Sequence, residues 1–282
     1  MPHASTLTNR VVFLTGCASG IGLDLAKTFF QNGDSLIVTD IRFEELHLQM
    51  KQAGIAGERV LIRQLDVCQP EMWDRIMQET IQTFGKLDVM FNIAGFIKPG
   101  FIADQTTEDV NRHLDINTKG VIFGTLAAAR VMQSHASGHI VNIASLAGVA
   151  PIPGIALYSA AKFAVRAYSI AAAQELKQCG ISVTVICPDA VQTPMLDLQL
   201  DTRAAALVFS GAKPLTVEDI RQVILHKVLP HRPVEVLIPS TRGWLAKLAN
   251  LFPSLSQTLQ PFLIKRGLSQ QHQLQGKRSR EI

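Results

Sequence analysis

Tyr158 and Lys162 stand four residues apart in "LYSAAKFAV", inside an otherwise small and apolar stretch. On a helix, residues i and i+4 share a face. A phenol with an ordinary pKa near ~10 is a poor proton shuttle at neutral pH. An ammonium beside it favours the phenolate and lowers that pKa. The pair can therefore serve as a general acid/base toward an alcohol or carbonyl oxygen. Taken alone, it reads equally well as an amphipathic contact, with the lysine stem packed along the ring. Ser145 tips the balance. It closes the run "HIVNIAS", and the carboxyl ends of strands in an open α/β sheet face the ligand crevice. A hydroxyl there can hold a substrate oxygen beside Tyr158.

A second group of residues suits an anion. In "VVFLTGCASGIGLDLAKTFF" a strand-like run meets Gly16, Gly20 and Gly22. A tight turn needs residues without Cβ, and a pyrophosphate must approach the backbone closely. The helix start, from Ser19 through Gly20 and Ile21 to Gly22, then turns free N–H groups toward the phosphates. Asp40 closes the next strand about 20 residues on, where a carboxylate can accept hydrogen bonds from an adenosine ribose and repel a 2′-phosphate. This favours NAD(H), with NADP(H) second. Asp40 can instead be read as a cap for the following helix. Arg42 is a cation that could accept a 2′-phosphate, whereas Ser19 before Gly20 is not basic and leans back toward NAD.

The elements that must position these groups alternate regularly. Strand candidates are Val11–Thr15, Leu36–Asp40, Arg59–Leu65, Leu87–Asn92, His139–Ala144, Ser182–Cys187 and Val234–Ile238. Their Val, Ile and Leu runs lack polar alternation, as befits parallel strands buried on both faces. Helical patterns fill the gaps at about Ile21–Asn32, Glu44–Gln52, Glu71–Phe84, Thr107–Ala129, Tyr158–Gln178 and Val217–His226. The expected fold is α/β: a Rossmann-type, doubly wound, mostly parallel seven-stranded sheet with helices on both faces.

With the glycine turn, Asp40 and "YSAAK" together, the chain resembles the short-chain dehydrogenase/reductase family over about residues 8 to 240. "TGCASGIG" is similar to its glycine motif. "LDV" resembles its adenine-side acid, which implies cofactor contacts at Asp66 and Val67. "NIAG" resembles Asn-Asn-Ala-Gly, implying roles for Asn92, Ala94 and Gly95, with Ile93 in place of the second Asn. Asn117, Ser145, Tyr158 and Lys162 fall in the family's catalytic order. The resemblance implies that Lys162 also binds the nicotinamide ribose and that Asn117 shapes its helix and carries a relay water. "PDAVQTPM" resembles the nicotinamide-side loop, implying contacts from Pro188, Val191 and Thr193, but Asp189 replaces the usual glycine. The resemblance implies that the alanine-rich helix beginning at Tyr158 packs against its twin across a two-fold axis, giving a homodimer or homotetramer; close packing of its small residues onto the sheet is the alternative.

Composition bounds the rest. With 282 residues and 47% hydrophobic content, the chain supports one large core or at most two small domains. We read a single domain over 1–268, including a C-terminal apolar segment 241–268, then a polar basic tail 269–282 without fixed structure. No apolar run is long enough to span a bilayer, and the start reads as untargeted, hence cytoplasmic. The stretch 265–282 holds five basic residues and one acid, which accounts for the whole net charge of +4. A general nucleic-acid surface is therefore disfavoured. Four cysteines and eight scattered histidines form no metal-ligand spacing; His135 and His139 are separated by the helix breaker Gly138.

The substrate crevice should be bordered by Phe96, Ile97, Phe101, Ile152, Ile155, Met195, Leu196, Leu198 and Phe209, a lining for an apolar alcohol or ketone. The segment Trp244–Leu263 is rich in Leu, Phe and Trp. Peripheral membrane contact is one reading; packing over the substrate mouth or a neighbouring subunit is favoured, because Pro253 and Pro261 interrupt one long amphipathic helix. The functional expectation is an NAD(H)-dependent oxidoreductase interconverting a secondary alcohol and a ketone. An NADPH-dependent ketone reductase and a catalytically idle NAD-binding regulator are the alternatives.

Overall fold

A computed structural model describes residues 9–211 and 213–281. The start of the chain, read above as untargeted, lies outside the described residues, as does Ile282 of the tail. Along the chain the elements run β1 (Val11–Thr15), α1 (Gly20–Gln31), β2 (Ser35–Asp40), α2 (Phe43–Gln52), β3 (Val60–Gln64), α3 (Pro70–Phe84) and β4 (Val89–Asn92). There follow α4 (Thr107–Leu114), α5 (Gly120–Gln133), β5 (Gly138–Ile143), α6 (Ala156–Leu176), β6 (Ile181–Pro188) and α7 (Pro194–Asp197). The chain closes with α8 (Val217–Val223), α9 (Leu229–His231), β7 (Glu235–Ile238), α10 (Ser240–Leu251) and α11 (Pro253–Glu281).

All seven expected strands form one parallel sheet in the order β3-β2-β1-β4-β5-β6-β7. The apolar runs have a simple cause: both faces are covered. On β1, Val12 and Leu14 pack with Leu25 and Phe29 of α1 and with Ile220 near the other end of the chain. Their neighbours Val11 and Phe13 point the opposite way, onto Trp73 and Ile76 of α3. Chain direction across the sheet reverses between β1 and β4. That switch point opens a crevice at the carboxyl ends of the strands.

Local signals set several boundaries. Pro70 opens α3, and Gly85 ends it in the left-handed region at φ 74°. Thr106 and Asp109 form a reciprocal capping box at the start of α4. The helix expected over Thr107–Ala129 runs unbroken to Gln133, but not as regular α-helix throughout. A π-helical turn, Asp115–Lys119, separates α4 from α5, and Asn117 lies at its centre.

Two C-terminal expectations are corrected. The polar stretch after Ser269 continues α11 through Glu281 rather than lacking structure. Its glutamines explain why. Gln270 donates to the Gly211 carbonyl, Gln271 to those of Gln199 and Thr202, and Gln275 to that of Leu200. Gln271 is buried. Pro253 separates α10 from α11, but Pro261 lies inside α11 without ending it. Most large apolar side chains of 244–262 stand exposed rather than packed over the substrate mouth of the same chain; contact with a neighbouring subunit is the other half of that expectation. No helix among the described residues is long and apolar enough to cross a membrane.

Candidate active site

The glycine turn leaves room for a phosphate because it cannot be built with side chains. Gly16 and Gly20 adopt φ of 70° and 57°. A Cβ at Gly16 would stand 3.1 Å from the Ala94 backbone, and one at Gly22 would overlap the Gly16 carbonyl. Ser19 at the start of α1 makes no side-chain cap, and the first turn carries no acid. The first N–H groups of α1 are thus free to meet an anion. Thr193 closes the opposite side, its methyl 3.1 Å from where a Gly20 Cβ would lie.

Asp40 is buried at the end of β2. Its Oδ2 accepts the Ala18 N–H at 3.0 Å and its Oδ1 the Arg42 N–H at 3.0 Å. The carboxylate therefore braces the glycine turn as well as facing the crevice. Arg42 lies beside it, with Nε 3.4 Å from Oδ1, and also reaches Glu45 at 2.8 Å and the Ser19 hydroxyl at 3.2 Å. Asp66 accepts the Cys68 N–H at 3.0 Å, and with Val67 it lines the same wall.

One crevice of about 750 Å³ joins these residues to the Tyr158 group. Gly16, Ser19, Gly20, Ile21, Asp40, Asp66, Val67, Ala94 and Gly95 line one part. Ser145, Tyr158, Lys162, Pro188, Val191 and Thr193 line another. Three expected site residues do not present side chains to it. Gly22 acts through close packing beneath the turn. Asn92 points away, donating to Asn142 at 2.8 Å and Thr125 at 3.3 Å inside the sheet-to-α5 layer. Asn117 spends both ends of its amide on Phe96, accepting its N–H at 2.9 Å and donating to its carbonyl at 2.8 Å. A water-carrying role for Asn117 would have to use its main chain.

Ser145 lies two residues beyond the end of β5 and lines the crevice together with Tyr158, its hydroxyl donating to the Pro188 carbonyl at 3.4 Å. Its hydroxyl accepts the Ala147 N–H at 3.1 Å. Lys162 is buried and donates to the Ile143 carbonyl at 2.8 Å, with Nζ 5.6 Å from the Tyr158 ring centre. The sequence leads one to expect a tyrosine lowered by its lysine. The structure differs: burial pushes Tyr158 up to about 12, opposed by the Ser145 hydrogen bond, and pushes Lys162 down to about 8. Desolvation is the largest cause of both shifts, and the buried Cys187 nearby pushes both upward to a lesser degree.

Several contributors escape a reading of motifs. Thr15 accepts the N–H groups of Ile93 and Ala94 at 2.9 and 3.0 Å, which fixes the "NIAG" turn against β1. Its place just before Gly16 is the only signal. Gly148 lets the turn after Ser145 lie on the Lys162 backbone, where a Cβ would come within 2.5 Å of the carbonyl oxygen. Asp189, the departure from the family pattern, is paired at 2.8 Å with Arg242 of α10. Burial raises its pKa and Arg242 opposes that.

A sequence profile described as short chain dehydrogenase matches residues 10–204. The chain belongs to the short-chain dehydrogenase family. Among curated relatives is 2,5-dichloro-2,5-cyclohexadiene-1,4-diol dehydrogenase LinX of Sphingobium indicum, 33% identical over 192 residues, or 68% of this chain and 77% of LinX. A solved short chain dehydrogenase/reductase from Burkholderia phymatum, in complex with NAD, superposes with a TM-score of 0.77 at 22% identity, covering 88% of this chain and 95% of that one. ElxO with NADP bound gives 0.72 at 26%, covering 82% and 96%. The chain is thus an oxidoreductase of this family with a crevice that suits a nicotinamide dinucleotide. Of the expected substrate-side residues, Phe96, Ile97, Ile152, Ile155, Met195, Leu196 and Leu198 line the short-chain dehydrogenase crevice, alongside Arg112 and Gln199. Two expected lining residues do not take part: Phe101 is exposed, and Phe209 is buried against Leu196, Leu200 and Ala205.

Proposed function

We propose that this chain is an NAD(H)-dependent oxidoreductase that interconverts an apolar secondary alcohol and its ketone. The observation that carries the reading is the meeting of Ser145, Tyr158 and Lys162 in one crevice with the glycine cradle. When bound, the nicotinamide supplies a hydride donor or acceptor. Gly16 and Gly20 and the start of α1 would hold its pyrophosphate, and Asp40 its adenosine ribose. Ser145 orients the substrate oxygen toward Tyr158. In reduction Tyr158 gives its proton to the forming alkoxide; in oxidation it takes the proton of the alcohol. Lys162, held by the Ile143 carbonyl, keeps a positive charge beneath the phenol when protonated and so favours the proton's departure. The apolar side chains among the lining, such as Ile97, Ile155 and Met195, suit an apolar substrate.

NADP(H) use is the second reading, favoured by Arg42 standing 3.2 Å from the Ser19 hydroxyl at the adenosine end. A cytoplasmic location and assembly as a homodimer or homotetramer complete the proposal. Ala160, Ala167 and Ala171, exposed along one side of α6, suit close helix approach between subunits.

The test is turnover of an alcohol and ketone panel by wild type and Tyr158→Phe, with dinucleotide binding measured on both. Loss of turnover with binding intact supports the reading. Binding without turnover by wild type on any substrate would favour an idle NAD-binding regulator.

A further inference from the structure

The C-terminal helices hold an unpartnered apolar face. Of the fifteen large apolar side chains exposed among the described residues, seven fall within 244–262. On α10, Trp244, Leu248 and Leu251 follow helical spacing, with Trp244 63% and Leu251 68% exposed. On α11, Leu259 and Phe262, three residues apart, are exposed as well, Phe262 at 69%.

This face is fixed rather than frayed, because the inward sides of both helices are anchored. A Cβ at Gly243 would overlap Leu237, and one at Gly267 would overlap the Ala206 carbonyl. Arg242 pairs with Asp189, and Gln271 is buried beneath the loop that borders the substrate crevice.

Charge points to the occupant. Residues 239–282 carry seven basic residues and the single acid Glu281, which leaves the rest of the chain two charges negative. Lys265 and Arg266 are exposed a turn beyond Phe262. Arg242 and Lys247 are paired with Asp189 and Glu235; the remaining surplus, led by Lys265 and Arg266, still makes pairing of this face with itself across a two-fold axis bring like charges together. An anionic lipid surface complements both the charge and the apolar face, since aromatic and leucine side chains enter the headgroup boundary while basic residues meet phosphates.

We propose that the outward face of α10 and α11 seats on an anionic lipid surface, with Trp244, Leu251 and Phe262 inserted and Lys265 and Arg266 on the lipid phosphates. The test is co-sedimentation of full-length protein with vesicles of equal parts phosphatidylglycerol and phosphatidylcholine, and with phosphatidylcholine alone. Leu251→Glu and Phe262→Glu are compared, with thermal unfolding as the folding control; both side chains are exposed, so the fold should persist. Wild type should sediment with the anionic vesicles only, and less so as salt is raised. Each substitution should weaken partitioning about tenfold, the scale of one buried leucine or phenylalanine side chain. No sedimentation with anionic vesicles overturns the proposal, as does binding that survives both substitutions. A concentration-dependent dimer abolished by both substitutions, without vesicle binding, would instead make this face a contact between copies.

Discussion

Asp40 has two duties that substitution can separate. It accepts the buried Ala18 N–H and the Arg42 N–H, one on each carboxylate oxygen. Asp40→Ala strands the Ala18 donor, which costs about 1–3 kcal/mol of stability. Asp40→Asn keeps one acceptor for Ala18 and removes the charge, so its stability loss should be smaller. A charge-assisted hydrogen bond to a ribose hydroxyl is worth about 1.5–3 kcal/mol, so NADH should bind Asp40→Asn about 10- to 150-fold more weakly. NADPH should move the other way. A carboxylate 4 Å from a 2′-phosphate charge repels it by up to about 4 kcal/mol at a surface-like dielectric. Removing it also releases the hold of Asp40 on Arg42, 3.4 Å away, and leaves that cation beside the Ser19 hydroxyl at the adenosine end. A gain in NADPH affinity of about tenfold or more is expected. Fluorescence titrations with both dinucleotides, on protein whose unfolding is measured in parallel, give all four quantities. Unchanged NADH affinity in Asp40→Asn, beside the expected destabilisation of Asp40→Ala, would refute the ribose contact and leave Asp40 as a brace for the turn.

Other substitutions probe the cradle and its supports. Gly22→Ala places a methyl on the Gly16 carbonyl, so both dinucleotides should bind at least about tenfold more weakly and stability should fall by about 1–3 kcal/mol; unaltered binding by titration would contradict the cradle. Arg242→Ala leaves the mostly buried Asp189 without its partner and should cost about 1–2 kcal/mol in chemical denaturation, discounted for partial exposure. Arg242→Lys should recover only part, since the bond from Nη2 to Ser210 is lost as well. The pH profile follows from Tyr158, held up to about 12, and Lys162, held down to about 8. A tyrosine with a raised pKa stays loaded as an acid, so reduction should be nearly flat between about pH 6 and 7.5, while oxidation, which needs the phenolate, should climb. Steady-state rates in both directions check this, and a reductive rate rising with pH would contradict the assignment.

The sheet was legible because parallel strands covered on both faces must be apolar at every position, as Val11 through Leu14 are. The glycine cradle was legible because Gly16, Gly20 and Gly22 leave a mark that no other residue can. The π turn at Asp115–Lys119 was not, since its central Asn117 spends its amide on Phe96, 21 residues away. Hydropathy misjudged 269–281 for a similar reason. Glutamines look solvated in sequence, yet Gln271 is buried on the Gln199 and Thr202 carbonyls. The direction of the Tyr158 shift was illegible because spacing reveals a charged neighbour but not how deeply both groups are buried. Likewise nothing near Asp189 in the chain announces Arg242 as its partner.

The most direct measurement follows the hydride itself. Full-length protein is supplied with NADH deuterated at the transferring position and a panel of apolar ketones, and the alcohols are analysed by mass spectrometry. Deuterium should appear on the carbinol carbon with wild type and not with Tyr158→Phe, although Tyr158→Phe still binds NADH. Alcohol formed without deuterium, or deuterium transfer undiminished in Tyr158→Phe, would contradict the proposed function.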